Sequence, residues 1–160
     1  MMDAKTIKKD RLRYTKNKFS ANLAYLAIVF DVLYFVSIYS SDVDTYYYNI
    51  SIGFSVLYNL IFLLAAFLSS EGVKNYKLGY AWVIMGIGVL QFARIFGIPS
   101  RAHSTTLTLD GVDTIVMGNG QFAYVVVCLA LSGLACIASG IVGVYKTTTL
   151  TKYMKEKGLA

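Results

Sequence analysis

One proline, one histidine, one tryptophan and two cysteines stand among 160 residues, and only 15% of the chain is charged. Each shortage excludes something. Cys128 and Cys136 lie eight positions apart in one apolar run, so they form neither a CxxC redox pair nor half of a four-ligand metal site. The sequence has no glycine-rich phosphate loop, serine nucleophile elbow, His-Glu-x-x-His helix or kinase signature. Catalysis is left without reagents, and the expectation is a protein that is not an enzyme and carries no cofactor and no metal.

What the chain has is apolar length. Apolar residues make up 56% of it, too many for an ordinary soluble domain of this size. They fall in four runs, at about 19–39, 50–68, 78–98 and 122–145. Each approaches the roughly 20 residues that carry a helix across a bilayer, and together they leave no room for a separate soluble domain. The first run exceeds the roughly 7–15 residues of a signal-peptide core and is expected to stay as an anchor. The fold expected is an all-α integral membrane protein: one domain over 1–160, a four-transmembrane-helix bundle with a basic segment at 1–18 and a tail at 146–160.

Charge gives the bundle a direction. Lys5, Lys8, Lys9, Arg11, Arg13, Lys16 and Lys18 precede the first run, Lys74 and Lys77 lie between the second and third, and Lys146, Lys152, Lys155 and Lys157 follow the fourth. The other two connections carry Arg101 with Asp42, Asp44, Asp110 and Asp113. Lysine and arginine concentrate on the cytoplasmic side of membrane proteins, so both termini are expected inside, in a plasma membrane. The net charge of +6 therefore reads as topology, and nucleic acid is not an expected partner. The basic amino-terminal segment is instead expected to attract an anionic cytoplasmic leaflet, at about 1 kcal/mol per residue near the surface. Tyr46, Tyr47 and Tyr48 suit the opposite interface. The Asn49-Ile50-Ser51 triplet matches a glycosylation acceptor but abuts a span.

The longest outer connection, 99–121, contains Thr106-Leu-Thr-Leu109, Asp110-Gly111 and Val112-Asp-Thr-Ile-Val116. Alternation on both sides of Asp-Gly predicts a small extracellular β-hairpin between the third and fourth helices, because both turn residues tolerate positive φ. Such a hairpin is marginal alone and should rest on the helix ends or on another protein.

Two ionisable residues, Asp31 and Arg94, lie within the spans, where each costs several kcal/mol unless paired or hydrated. At about 1.5 Å per residue from the outer ends, Asp31 sits roughly 13 Å deep and Arg94 roughly 6 Å deep. Ser51, Ser55 and Asn59 recur every four residues on one face of the second span; Gln91 shares a face with Arg94; Ser132 of the fourth span comes to the same level. One reading is a structural network of Asp31, Asn59, Gln91 and Arg94 that orders the helices. The other is a solvated ligand or proton site centred on Asp31. A positive partner within reach favours the first.

Small residues mark the fourth span. Cys128, Ser132, Cys136 and Gly140 form one face, and Ala135, Ser139 and Gly143 a neighbouring one. Such intervals let helices approach closely. One face is expected against Gly79, Gly86 and Ala93 of the third span, and the other is open to a partner helix. In the outer loop Arg101 and His103 are a weak anion pair, and His103 reads as a solvated loop residue.

The cysteine-bearing outer loops of tetraspanins and claudins are absent. In arrangement alone the chain resembles small multidrug exporters, with Asp31 in the place of their first-span acid and Trp82 in that of a third-span aromatic. The long outer loop and charged tails depart from that pattern, and Arg94 would compete with a cationic substrate. The expectation that follows is a non-enzymatic accessory or assembly subunit of a larger membrane complex, such as a transporter. The alternative is a small-solute or proton-coupled transporter that works as an oligomer around Asp31.

Overall fold

The computed structural model describes residues 4–39, 46–109 and 112–159. Asp42, Asp44, Asp110 and Gly111 lie outside the described residues, as do the side chains of Tyr46, Tyr47, Tyr48, Asn49, Ser51 and Asp113. The described elements follow in the order α1 (Ala4–Arg11), α2 (Lys18–Tyr39), α3 (Tyr46–Lys74), α4 (Leu78–Ile95), α5 (Ile98–Ser104), β1 (Thr106–Leu109), β2 (Val112–Ile115) and α6 (Asn119–Glu156). Four stretches are long and apolar enough to cross a membrane: Lys18–Ile38, Gly53–Lys74, Leu78–Ser104 and Asn119–Glu156. The chain is a multi-pass helical membrane protein.

Several helices outrun their apolar cores. α3 begins before residue 50 and continues to Lys74. Hydropathy marks where a helix meets lipid, whereas the backbone ladder continues as long as nothing interrupts it. Here Glu71 and Lys74 pair one turn apart at 2.7 Å and support the polar last turns. α6 likewise runs past residue 145 to Glu156. Thr148, Thr149 and Thr151 donate their hydroxyls to the carbonyls of Val144, Tyr145 and Thr147 at 2.7–3.0 Å, so these threonines need no partner outside the helix. The outer connection does not begin as a loop, because α5 occupies its start, with Pro99 in the first turn where a missing N–H costs nothing. Beyond it, β1 and β2 pair antiparallel, Thr106 opposite Ile115 and Leu109 opposite Val112.

The four long helices form a ring in which α6 packs against α2 and α4, α3 packs against the same two, and α3 lies across from α6. Their buried positions repeat every three or four residues: Ser20, Ala24, Ala27, Asp31, Tyr34 and Ile38 on α2; Asn59, Phe62, Ala66, Ser69 or Ser70, and Val73 on α3; Ala81, Ile84, Gly88 and Gln91 on α4. The opposite faces carry Leu, Val, Ile and Phe. Large apolar groups outside and small or polar ones inside is the arrangement lipid favours, since hydrocarbon gives no hydrophobic drive between helices.

The α4–α6 seam is a backbone-to-backbone approach. A β-carbon on Gly88 would lie 2.8 Å from Cβ of Cys136, and one on Gly133 would lie 2.7 Å from the Phe92 ring. One on Gly140 would strike Met85 and come within 2.7 Å of the Ala81 carbonyl. The expected α4 face of Gly79, Gly86 and Ala93 is not the one used. Gly79 and Gly86 have nothing within 4 Å of an added β-carbon, and Ala93 is exposed. Small residues stand on two faces of α4, and their spacing alone does not choose between them.

The second small face of α6 is also filled within the chain. Ser139 donates to the Ser20 carbonyl at 2.7 Å while Ser20 donates to the Ser139 carbonyl at 2.6 Å, and an added β-carbon on Gly143 would lie 3.0 Å from Ala81 and 3.4 Å from Ser20 Oγ. Cys128, Ser132, Ala135, Cys136, Ser139, Gly140 and Gly143 are all buried, the two cysteines as free thiols. Within the chain, α2 takes the face for which a partner helix was the expectation.

Candidate functional site

Four helices bring one polar group or more to a common level. Asp31 comes from α2, Asn59 from α3, Gln91 and Arg94 from α4, and Ser132 from α6. Arg94 does not extend outward but turns inward, and its Nη1 donates to Asp31 Oδ1 at 2.8 Å. The same nitrogen donates to Gln91 Oε1 at 3.0 Å, and Nη2 donates to Asn59 Oδ1. Gln91 Nε2 donates to Asp31 Oδ1 at 2.8 Å and lies 3.2 Å from Ser132 Oγ, whose proton goes to the Ala27 carbonyl at 2.9 Å. The amide of Gln91 fits in one orientation only, since reversing it would set its NH2 against the guanidinium.

Burial makes these bonds consequential. The Asp31 side chain is 0% exposed and that of Arg94 is 11% exposed. A carboxylate in such a place is costly unless a cation and hydrogen bonds accompany it, and both do. Two aromatic rings complete the housing of the guanidinium, whose central carbon lies 4.6 Å from the Tyr34 ring centre and 4.5 Å from that of Tyr58. Stacking on ring faces favours the delocalised cation of arginine over the compact one of lysine. Tyr34 was within reach of sequence reasoning, being three residues beyond Asp31 on the same helix face. Tyr58 was not, since nothing in its spacing distinguishes it from other tyrosines.

The cluster keeps some bonding capacity. Asp31 Oδ2 and Asn59 Nδ2 are buried without a hydrogen-bond partner among the described residues. Beside it opens a cavity of about 570 Å³ whose lining includes Tyr34, Ser55, Tyr58 and Arg94 from the cluster and Gly97 and Arg101 toward α5. Ser55, placed by its four-residue spacing below Asn59, thus reaches the cavity wall and not the Asp31–Arg94 pair.

Gly97 lies between two helices that line this cavity. α4 ends at Ile95, Gly97 sits at φ −83° and ψ −119°, and the chain restarts as α5, which contributes Ile98 and Arg101 to the lining. His103, two positions on, belongs elsewhere, because residues two apart do not share a helix face. Its Nδ1 is 3.1 Å from the Met117 carbonyl, and its ring stacks on Phe122 at 4.4 Å. It is a half-buried helix residue that fastens α5 to α6, not a solvated loop residue. Among the described residues no three His, Cys, Asp or Glu side chains gather as a metal ion would require.

Comparison of the chain with known protein families, with curated proteins and with solved structures finds no match.

Proposed function

We propose that this protein is a non-enzymatic accessory or assembly subunit of a larger membrane complex, such as a transporter, with both termini cytoplasmic, the β1–β2 hairpin outside, and a place in the plasma membrane. The observation that carries the reading is the closed polar cluster. Asp31, Asn59, Gln91, Arg94 and Ser132 bond chiefly to one another, which makes them a lock between helices more than a path for solute. A bundle whose small-residue seams are taken within the chain offers partners its loop elements and lipid-facing walls. Among the described residues β1 and β2 pair only with each other, and Ile115 on β2 is exposed, which suits contact with another protein. The basic amino-terminal segment fits an anionic cytoplasmic leaflet.

Purification from the native membrane in mild detergent tests this. A distinct membrane protein should accompany the chain in fixed stoichiometry and be released when residues 106–115 are replaced by a Gly-Ser linker. Isolation as a lone monomer, unchanged by that replacement, would sink the proposal.

A second reading has its own observation. The unpartnered Asp31 Oδ2 and the cavity that reaches Arg94 suit an oligomeric small-solute or proton-coupled transporter with Asp31 as the binding group. A homo-oligomer stabilised by a solute, with the effect lost in Asp31→Asn, would favour it over the accessory role.

A further inference from the structure

At the end of the bundle that carries both termini, three lysines from distant parts of the chain converge. They share a cavity of about 510 Å³ lined by Tyr14, Thr15, Lys16, Lys18, Phe19 and Lys146, and among the described residues no acid lines it. Lys146 is set there by Asn17, whose Oδ1 accepts from its Nζ at 3.0 Å, while the same ammonium stands 5.9 Å from the centre of the Phe19 ring. That amide is itself buried, and its Nδ2 has no hydrogen-bond partner among the described residues. Glu71 is the acid whose charge reaches Lys16, but its carboxylate is held by Lys74 at 2.7 Å and by the Tyr25 hydroxyl at 3.0 Å. With Glu71 and Lys74 taken as one neutral pair, three positive charges remain at the opening.

The place of this opening narrows what fills it. The first crossing begins at Lys18 and the apolar run of the fourth closes at Tyr145, so Lys18 and Lys146 stand where both helices leave hydrocarbon. Tyr14 and Phe19 flank the lysines at 77% and 60% exposure, and aromatic rings favour the headgroup level of a bilayer. A choline lipid would bring a further cation to three ammonium groups. A soluble anion would make no use of the two rings. The anion that a bilayer supplies at this level is a lipid phosphate. Lysine meets phosphate as a compact point charge, without the paired geometry of arginine, so the charge of the ligand counts for more than its shape. A phosphate monoester carries about −1.5 to −2 at neutral pH, more than the single charge of a diester.

We propose that the cavity lined by Lys16, Lys18 and Lys146 binds the headgroup of a phosphomonoester lipid, such as phosphatidic acid, with the Tyr14 and Phe19 rings against its glycerol and upper acyl carbons. The site rests on the reading that this end of the chain faces an anionic leaflet, and it sharpens that reading. Diffuse attraction needs only a surplus of cations in the amino-terminal segment, whereas this site needs Lys146 of the fourth crossing beside them. Lys146 reaches that segment because α6 packs on α2 there, Ser139 against Ser20 and Lys146 on Asn17.

The test uses the full chain, delipidated in mild detergent and offered dioleoylphosphatidic acid, dioleoylphosphatidylglycerol or dioleoylphosphatidylcholine, with native mass spectrometry counting retained lipid. One equivalent of the phosphatidic acid should be retained at about fivefold lower concentration than the glycerol lipid, the advantage expected for one more charge paired near a membrane surface, and the choline lipid should be retained least. Lys146→Gln should abolish the advantage of the monoester over the diester. Lys16→Gln and Lys18→Gln, both at exposed positions, should each reduce it. Lys8→Gln combined with Lys9→Gln, cations of the same segment outside the cavity, should weaken both anionic lipids alike and leave the advantage in place. Equal retention of the two anionic lipids, or an advantage that survives Lys146→Gln, would overturn the site while the leaflet reading stands; equal retention of all three lipids would overturn both. Displacement of the lipid by glycerol 3-phosphate at equal concentration would make the ligand a soluble anion, and release of a co-purifying protein by Lys146→Gln would give the cavity another occupant; either result overturns the proposal. Should Lys146→Gln fail to fold, the three-lipid comparison and the exposed Lys16 and Lys18 variants decide.

Discussion

The two halves of this bundle, one toward the hairpin and one toward the termini, solve the same problem in opposite ways. Both bury polar groups among helices in a solvent that offers them no hydrogen bonds. Toward the hairpin the side chains bond to one another: a guanidinium, a carboxylate, two amides and a hydroxyl, held between two tyrosine rings, with a cavity alongside. Toward the termini Ser20 and Ser139 are small and bond to backbone, each donating to the other's carbonyl where α2 and α6 touch. A charged network needs bulky side chains and holds its helices apart, which leaves room for a ligand. A serine latch needs close backbones and leaves none. The charged cluster, unlike the serine latch, therefore has a cavity at its side.

The comparison breaks most readily at the ion pair. Arg94→Gln leaves the Asp31 carboxylate buried without its cation and should lower stability by about 3–5 kcal/mol in thermal or denaturant unfolding from micelles. Asp31→Asn alone should also destabilise, and the double variant should lose much less than the two singles combined. Additive losses would show that Asp31 and Arg94 do not act as a pair. Next in size is the close approach of the other half. Gly133→Leu should cost about 1–3 kcal/mol, because the new side chain enters the Phe92 ring and the Gly88 backbone, whereas Gly86→Leu, on the open face of α4, should stay within about 0.5 kcal/mol. A large loss at Gly86 would restore the seam that its seven-residue repeat suggested.

Smaller still is the serine latch. Ser20→Ala and Ser139→Ala should each cost about 0.6 kcal/mol, the usual worth of an interhelical hydrogen bond in a membrane, and the pair should be coupled since each hydroxyl serves the other's helix. A loss as large as that at Arg94 would erase the distinction between the halves. Least of all should be the hairpin: replacing residues 106–115 by a flexible linker is expected to change the unfolding of the helices by no more than about 0.5 kcal/mol. A larger fall would mean that the strands hold the bundle together in addition to anything they contact outside it.

The polar cluster was readable in part, and for a definite reason. Asp31, Asn59, Gln91 and Arg94 are conspicuous because hydrocarbon makes each of them expensive, and counting residues along rigid helices puts them in the same half of the membrane. The direction of the Arg94 side chain was not readable, since a long flexible stem reaches either the interface or the core. Nor was the cavity, because residues from α2, α3, α4 and α5 line it together, and no one segment marks their meeting. His103 escaped for a related reason: its role depends on Phe122 and Met117, which are distant in sequence and carry no chemical signal of their own.

One proline, little charge and four long apolar runs by themselves decided that this chain crosses a membrane as helices, because only a ladder that satisfies its own backbone tolerates hydrocarbon. Composition along the chain also decided which residues must meet, since a lone buried charge has nowhere else to go. Which helix stands beside which was decided by the tertiary structure alone. Small residues lie on more than one face of α4 and α6, and only the packed bundle, by bringing Gly88 to Gly133 and Ser20 to Ser139, selects the faces that close and leaves a cavity where they do not.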